Sequence, residues 1–143
     1  MSQMSKYLEN ALVDHIFRAI AYTMPAAMYV SLHTADPLDT GLGSEVSGNA
    51  YARAQLNPAA ANWSNTQDSG VGASSGTSGL TQNQAIISFL TPSASWGTVT
   101  HFGIWDASSG GNLLVFGTLT VSKTINTSDV VTFPVDALSI TFA

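Results

Sequence analysis

The chain has no cysteine among its 143 residues, so disulfides, thiolate catalysis and Cys-ligated zinc or iron–sulfur centres are all excluded. Charge is scarce as well. Charged residues make up 9% of the sequence, against about 25% in an average soluble protein, so Ser, Thr, Asn, Gln, Gly and Ala must supply most of the surface. Only Lys6, Arg18, Arg53 and Lys123 are cationic and the formal net charge is −5. That balance cannot neutralise a run of phosphates, and nucleic acid is not an expected partner. Long hydrophobic runs are missing too. The opening residues MSQMSKYLENALVDHIF carry Glu9, Asp14 and His15 among their apolar positions, which gives neither a signal-peptide core nor a membrane span. The expected site of synthesis is the cytoplasm, with no membrane partner.

What the chain does have is an ordinary apolar share, 45%, over a length that suits one domain with its own core. A polar but weakly charged surface protects a free monomer poorly against association, which suits a subunit of an assembly. The expected organisation is a single domain over 1–143, with a helix at 5–22, sandwich strands within 26–56 and 85–143, and a low-complexity loop or arm at 57–84.

Within 5–22, Leu8, Leu12, Val13, Ile16, Phe17 and Ile20 recur at helical spacing, with Ser5 as N-cap, Glu9 near the first turn and Pro25 as the stop. Six such side chains are unstable in water, so the helix lies on its own sheet or docks on a neighbour. After Pro25 the period becomes two. Met28, Val30 and Leu32 alternate with Tyr29, Ser31 and His33, as in a half-buried strand. Further strands are expected at 51–56, 85–90, 97–106, 112–122, 130–134 and 138–142, and SSGGN at Ser108–Asn112 has hairpin chemistry. The fold class is mainly β: an antiparallel β-sandwich or jelly-roll-like domain with one N-terminal amphipathic α-helix. Residues 57–84, rich in Ser, Gly, Ala, Thr, Asn and Gln, offer Trp63 as their single large anchor. Their composition buries too little to offset ordering entropy, so they are either flexible in the free protein or an arm ordered by a partner.

A search for chemistry ends mostly in structural readings. His15, His33 and His101 lie on separate elements, and no G-x-S-x-G elbow supports a serine triad. Asp36, Asp39 and Glu45 share a loop with His33, but their spacing is not that of a calcium loop, and turn formation suits Asp36-Pro37 and Asp39 better. Neither a phosphate loop nor a dinucleotide fingerprint occurs, so no cofactor is expected. Trp63, Trp96 and Trp105 suit core packing better than sugar-stacking platforms. Glu45 and Arg53 are expected to form an exposed pair that contributes about 0–1 kcal/mol. No enzymatic activity is expected.

The segments YLENALVDHIFR, SLHTADP at Ser31, EVSGNAYAR at Glu45, WGTVTHFGIWDA at Trp96 and GGNLLVFGTLTVSKTI at Gly110 together resemble one family of small bacteriophage virion proteins. Its members are commonly labelled phage tail fibre proteins, and small proteins of this type also look suited to decorating capsids. The resemblance runs nearly end to end and implies a virion structural protein. It brings no catalytic residues. Because no coiled-coil or repeat period provides a fibre's reach, the leading expectation is a capsid decoration (cement) protein that stabilises the assembled shell by mass action. Its partner would be the major capsid protein or tail proteins, and the chain itself a homodimer or homotrimer. The alternative is a tail fibre, tail-tip or collar component contacting host-surface sugars. Contact candidates are Leu12 and Phe17 on the helix, Asp36, Asp39 and Glu45 in the loop, and Trp63 in the arm.

Overall fold

The computed structural model describes residues 2–142. It contains one helix and nine strands, and every strand pairing is antiparallel. In chain order these are β1 (Ser2–Met4), α1 (Lys6–Phe17), β2 (Tyr29–His33), β3 (Ala54–Gln55), β4 (Leu80–Gln82), β5 (Ile87–Ser88), β6 (Gly97–Trp105), β7 (Leu113–Ile125), β8 (Thr132–Phe133) and β9 (Ser139–Thr141). A five-stranded sheet in the order β1-β7-β6-β2-β3 faces two small ladders, β4-β9 and β5-β8. Register places Ile104 between Val30 and Val115, and Leu32 beside Phe102. Period-two alternation then turns all five toward the ladders, where Ile87, Phe89, Leu138 and Ile140 complete one buried core. The result is a mainly β, sandwich-type domain with an N-terminal helix.

The helix starts where expected and stops early. Ser5 caps it by accepting from the Leu8 N–H (3.1 Å) and also donates its hydroxyl to the Leu113 carbonyl. Lys6 N–H reaches the Asp39 carbonyl (3.0 Å). The helix was expected to run to Tyr22, but it ends at Phe17 because Ala19 turns left-handed at φ 57°. Ile20 N–H then returns to the Asp14 carbonyl (3.1 Å) and His15 Nδ1 accepts from Tyr22 N–H (3.1 Å).

The helix burial also differs from expectation. Leu8 is buried and Leu12 packs against the core, whereas Val13, Ile16, Phe17 and Ile20 are exposed, Phe17 at 79%. The helix thus lies on its own sheet through Leu8 and Leu12 and leaves its other apolar residues uncovered.

Two further expectations are corrected. The strand at 51–56 shrinks to Ala54–Gln55, because beyond Val30 the β2 edge is covered by other groups. Val46 N–H donates to the Leu32 carbonyl (3.0 Å), Thr34 N–H to the Ser44 carbonyl (2.9 Å), and Leu32 N–H to the Tyr51 hydroxyl (3.0 Å). The stretch 57–84 is not a free arm. It contributes β4, which pairs with β9, and otherwise holds itself by side-chain bonds to backbone. Asn65 Nδ2 donates to the Ser69 and Gly72 carbonyls (2.7 and 3.2 Å), and Gln67 bridges Ala73 and Ser75 (3.0 and 2.8 Å). Fully buried Asn83 closes the stretch onto the body, donating to the Ala85 and Pro134 carbonyls and accepting from Leu138 N–H, each at 2.8 Å.

Candidate functional site

The outer face of the five-stranded sheet was expected to be polar and solvated along β2, yet β2 is buried on both sides from Val30 to His33. Ser31, His33, Trp105 and Phe116 point outward, and the loop 34–49 folds over them. His33 Nδ1 lies 2.8 Å from the Gly43 carbonyl, which only accepts. Nδ1 therefore carries the proton, and Nε2 accepts from the Ser31 hydroxyl (2.7 Å). That hydroxyl in turn accepts from Trp105 Nε1–H (2.8 Å), so one continuous chain of bonds fixes the tautomer. Burial holds the His33 pKa below its ordinary value, outweighing the opposing Gly43 bond and the Glu45 charge.

Two glycines make room for this arrangement. A Cβ on Gly103 would sit 2.7 Å from Ser31 Oγ, and one on Gly41, at φ +71°, would sit 2.5 Å from the Trp105 ring.

Arg53 closes the edge of the same face. Its Nε and Nη2 donate to the two Glu45 carboxylate oxygens (both 2.8 Å), its Nη1 donates to the Ala107 and Gly110 carbonyls (both 2.9 Å), and its guanidinium lies 3.8 Å from the Trp105 ring centroid. The Arg53 side chain is 6% exposed and Glu45 26%, so the expectation of an exposed, weak pair is overturned. Burial pushes the Glu45 carboxyl up, but Arg53 and the Tyr51 hydroxyl together outweigh it and leave the pKa below the ordinary carboxylate value. Burial, with the Glu45 charge beside it, pushes the Tyr51 phenol far up. This clamp joins the start of β3, the 34–49 loop and the β6–β7 hairpin, whose Gly110 and Gly111 take the positive φ expected of them.

The contact candidates fall into different places. Phe17 stands out from the surface, whereas Leu12 packs inward. Asp36 accepts from Leu38 N–H (2.8 Å), making the expected turn, and Asp39 faces Lys6 Nζ at 3.6 Å. With Glu45 held by Arg53, the three carboxylates do not converge, and no group of three or more His, Asp or Glu among the described residues surrounds a common point. Trp96 and Trp105 are core residues. Half-buried Trp63 packs against the core, and its Nε1–H has no partner. Ser31, Trp105 and Arg53 were not recognised as a unit, because only the strand register brings positions so far apart in the chain together. Ser31 and His33 have the distance of a nucleophile–base pair, but both are fully buried and the third member is a carbonyl. The bond from Trp105 further occupies the hydroxyl, so the trio stabilises the face rather than presenting a nucleophile.

The chain belongs to the family described as podophage GP4 fiber I protein gp80, whose model matches residues 3–141. It is accordingly a phage virion structural protein, as the sequence resemblance implied. No curated protein matches it. No helix among the described residues is long and apolar enough to cross a membrane.

Proposed function

We propose that the chain is a non-enzymatic structural subunit of a podophage fibre, acting by contact with other virion proteins. The observation that carries this reading is the match of residues 3–141 to a fibre protein family, which leaves almost no part of the chain outside the family pattern. The clamped outer face supports it. Loop 34–49 and the β6–β7 hairpin are locked by Arg53 and His33, which gives a body able to transmit force without local opening.

Immunogold labelling of intact particles with antibody raised against the purified chain tests the reading. Gold on the fibres supports it, and gold confined to the head overturns it. Particles lacking the protein should adsorb poorly while keeping their resistance to heat.

Capsid decoration is the second reading. The observation in its favour is that the described chain holds no coiled-coil or shaft element: its one helix is Lys6–Phe17, and Ser2 Oγ bonds the backbone of Thr141 in both directions (3.2 and 2.8 Å). Against it, the stretch 57–84, expected to lie across shell subunits, is folded on its own body. Decoration would show as gold on the head and as earlier DNA release on heating when the protein is missing.

A further inference from the structure

Residues 2–17 form an arm, β1 with α1, whose attachment to the body is concentrated at its beginning. Ser2, Gln3 and Met4 pair with Gly117, Phe116 and Val115 of β7. Ser5 N–H donates to the Leu114 carbonyl (2.9 Å) and Lys6 N–H to the Asp39 carbonyl (3.0 Å), while Leu8 and Leu12 pack against the core. The linker that follows is held differently. Among the described residues, every hydrogen bond made by 18–27 goes to α1. Arg18 and Ile20 N–H donate to the Asp14 carbonyl (both 3.1 Å), Tyr22 N–H to His15 Nδ1 (3.1 Å), and Arg18 Nε to the Asp14 carboxylate (2.8 Å). The sheet resumes only at Tyr29.

Within this linker the local preference and the observed conformation disagree. Arg18, Ala19, Ile20, Ala21 and Tyr22 all suit a continuing helix, alanine being the strongest helix former, and the apolar helical spacing runs through Ile20. Ala19 is nevertheless left-handed (φ 57°) and exposed. After a helix, that conformation is usually taken by glycine, because a Cβ strains it. The turn at Ala19 is what returns the chain to its own body. A right-handed Ala19 would let α1 run on to Tyr22, with Tyr22 N–H passing from His15 Nδ1 to the Arg18 carbonyl, and would carry the arm off its own β7.

We propose that the arm is exchanged: two copies of the chain trade residues 2–17, each placing its β1 on the other's β7, with Ala19 right-handed and α1 continuous to Tyr22.

The seat of the arm selects a second copy as the occupant. The β7 edge at Val115–Gly117, the Leu113 and Leu114 carbonyls and the places of Leu8 and Leu12 in the core fit residues 2–12, and another copy supplies the same segment. Because the arm makes these contacts equally in either copy, the balance between monomer and exchanged dimer rests on two other things. Strain at Ala19 works against the monomer, and the entropy of association works against the dimer, less so as concentration rises. The inference stands apart from the fibre reading, because its test is which chain holds the arm rather than where the protein sits on the particle.

Refolding from urea at high micromolar concentration lets each arm seat on either body. Sedimentation equilibrium of the refolded wild type should give the mass of a dimer. Ala19→Gly relieves the strain at an exposed position without touching the core, and with two linkers per dimer it should weaken association at least about thirtyfold. The chain has no cysteine, so Met4→Cys combined with Val115→Cys, partners across the β1–β7 ladder, reports whose arm is whose. Oxidised after refolding, this variant should migrate as a covalent dimer under denaturing, non-reducing conditions. A wild type that stays monomeric at high micromolar concentration overturns the proposal. So does a dimer indifferent to Ala19→Gly, or one in which the engineered disulfide closes within single chains.

Discussion

Replacing Arg53 by Met should destabilise the chain by about 3 kcal/mol, several times the effect of breaking an exposed ion pair. The magnitude follows from what the guanidinium leaves behind. Glu45 loses two bonds of 2.8 Å while its side chain is only 26% exposed, and the Ala107 and Gly110 carbonyls lose their donor. Removing one member of a buried pair costs about 3–5 kcal/mol, and loss of the contact over Trp105 adds about 1–2 kcal/mol. Partial access of water to Glu45 and to the hairpin screens both contributions and reduces the sum to about 3 kcal/mol. At about 2–4 °C per kcal/mol for a domain of this size, the melting temperature should fall by about 10 °C. Arg53→Lys keeps the charge but not the planar fork and should recover about half. Arg53→Met combined with Glu45→Leu should be less damaging than Arg53→Met alone, because no uncompensated charge remains. Thermal melts and urea titrations of the four proteins read all of this. A fall below about 3 °C in Arg53→Met would refute the buried clamp and restore the exposed-pair value of about 0–1 kcal/mol.

Three further outcomes follow from the same bonds. Ser31→Ala leaves Trp105 Nε1–H and His33 Nε2 buried without partners, which should cost about 2–4 kcal/mol in urea titrations. His33 titrates below its ordinary 6.5 because burial excludes the charged form, so above that pH its contribution is fully present. As the pH falls below 6.5, the unfolded chain binds a proton that the folded chain refuses, and stability should decline by up to about 1.4 kcal/mol per pH unit. His33→Gln should flatten that decline; an unchanged slope would assign it to other groups. Asn83→Ala removes three bonds of 2.8 Å and should make residues 57–84 susceptible to limited proteolysis, whereas the wild type stays intact under the same conditions.

Local chemistry was the legible part of the sequence. Ser5 as cap, the period-two run of β2 and the Gly110-Gly111 turn each depend on neighbours in the chain, and each appears as expected. The helix end was not visible, since it rests on a left-handed alanine at position 19 and on His15 reaching Tyr22. Burial of the outer face was hidden for a different reason. Alternating polar residues normally mark a solvated side, but here Ser31 and His33 satisfy each other beneath a loop, and only tertiary register shows it. Residues 57–84 mislead a reading based on apolar content, because Asn65, Gln67 and Asn83 order them through hydrogen bonds instead. Among the contact candidates, helical spacing marked Phe17 as part of an apolar stripe but could not show that it stands exposed, whereas Glu45 was recognised as Arg53's partner but placed at the surface.

The most direct measurement of the central claim is a reconstruction of the intact virion at a resolution that shows strands. Density for this five-stranded body with its leading helix, repeated along or at the base of the fibres and in contact with other fibre subunits, is the expected result. The same body seated on the head shell, with fibres that contain no such density, would contradict it.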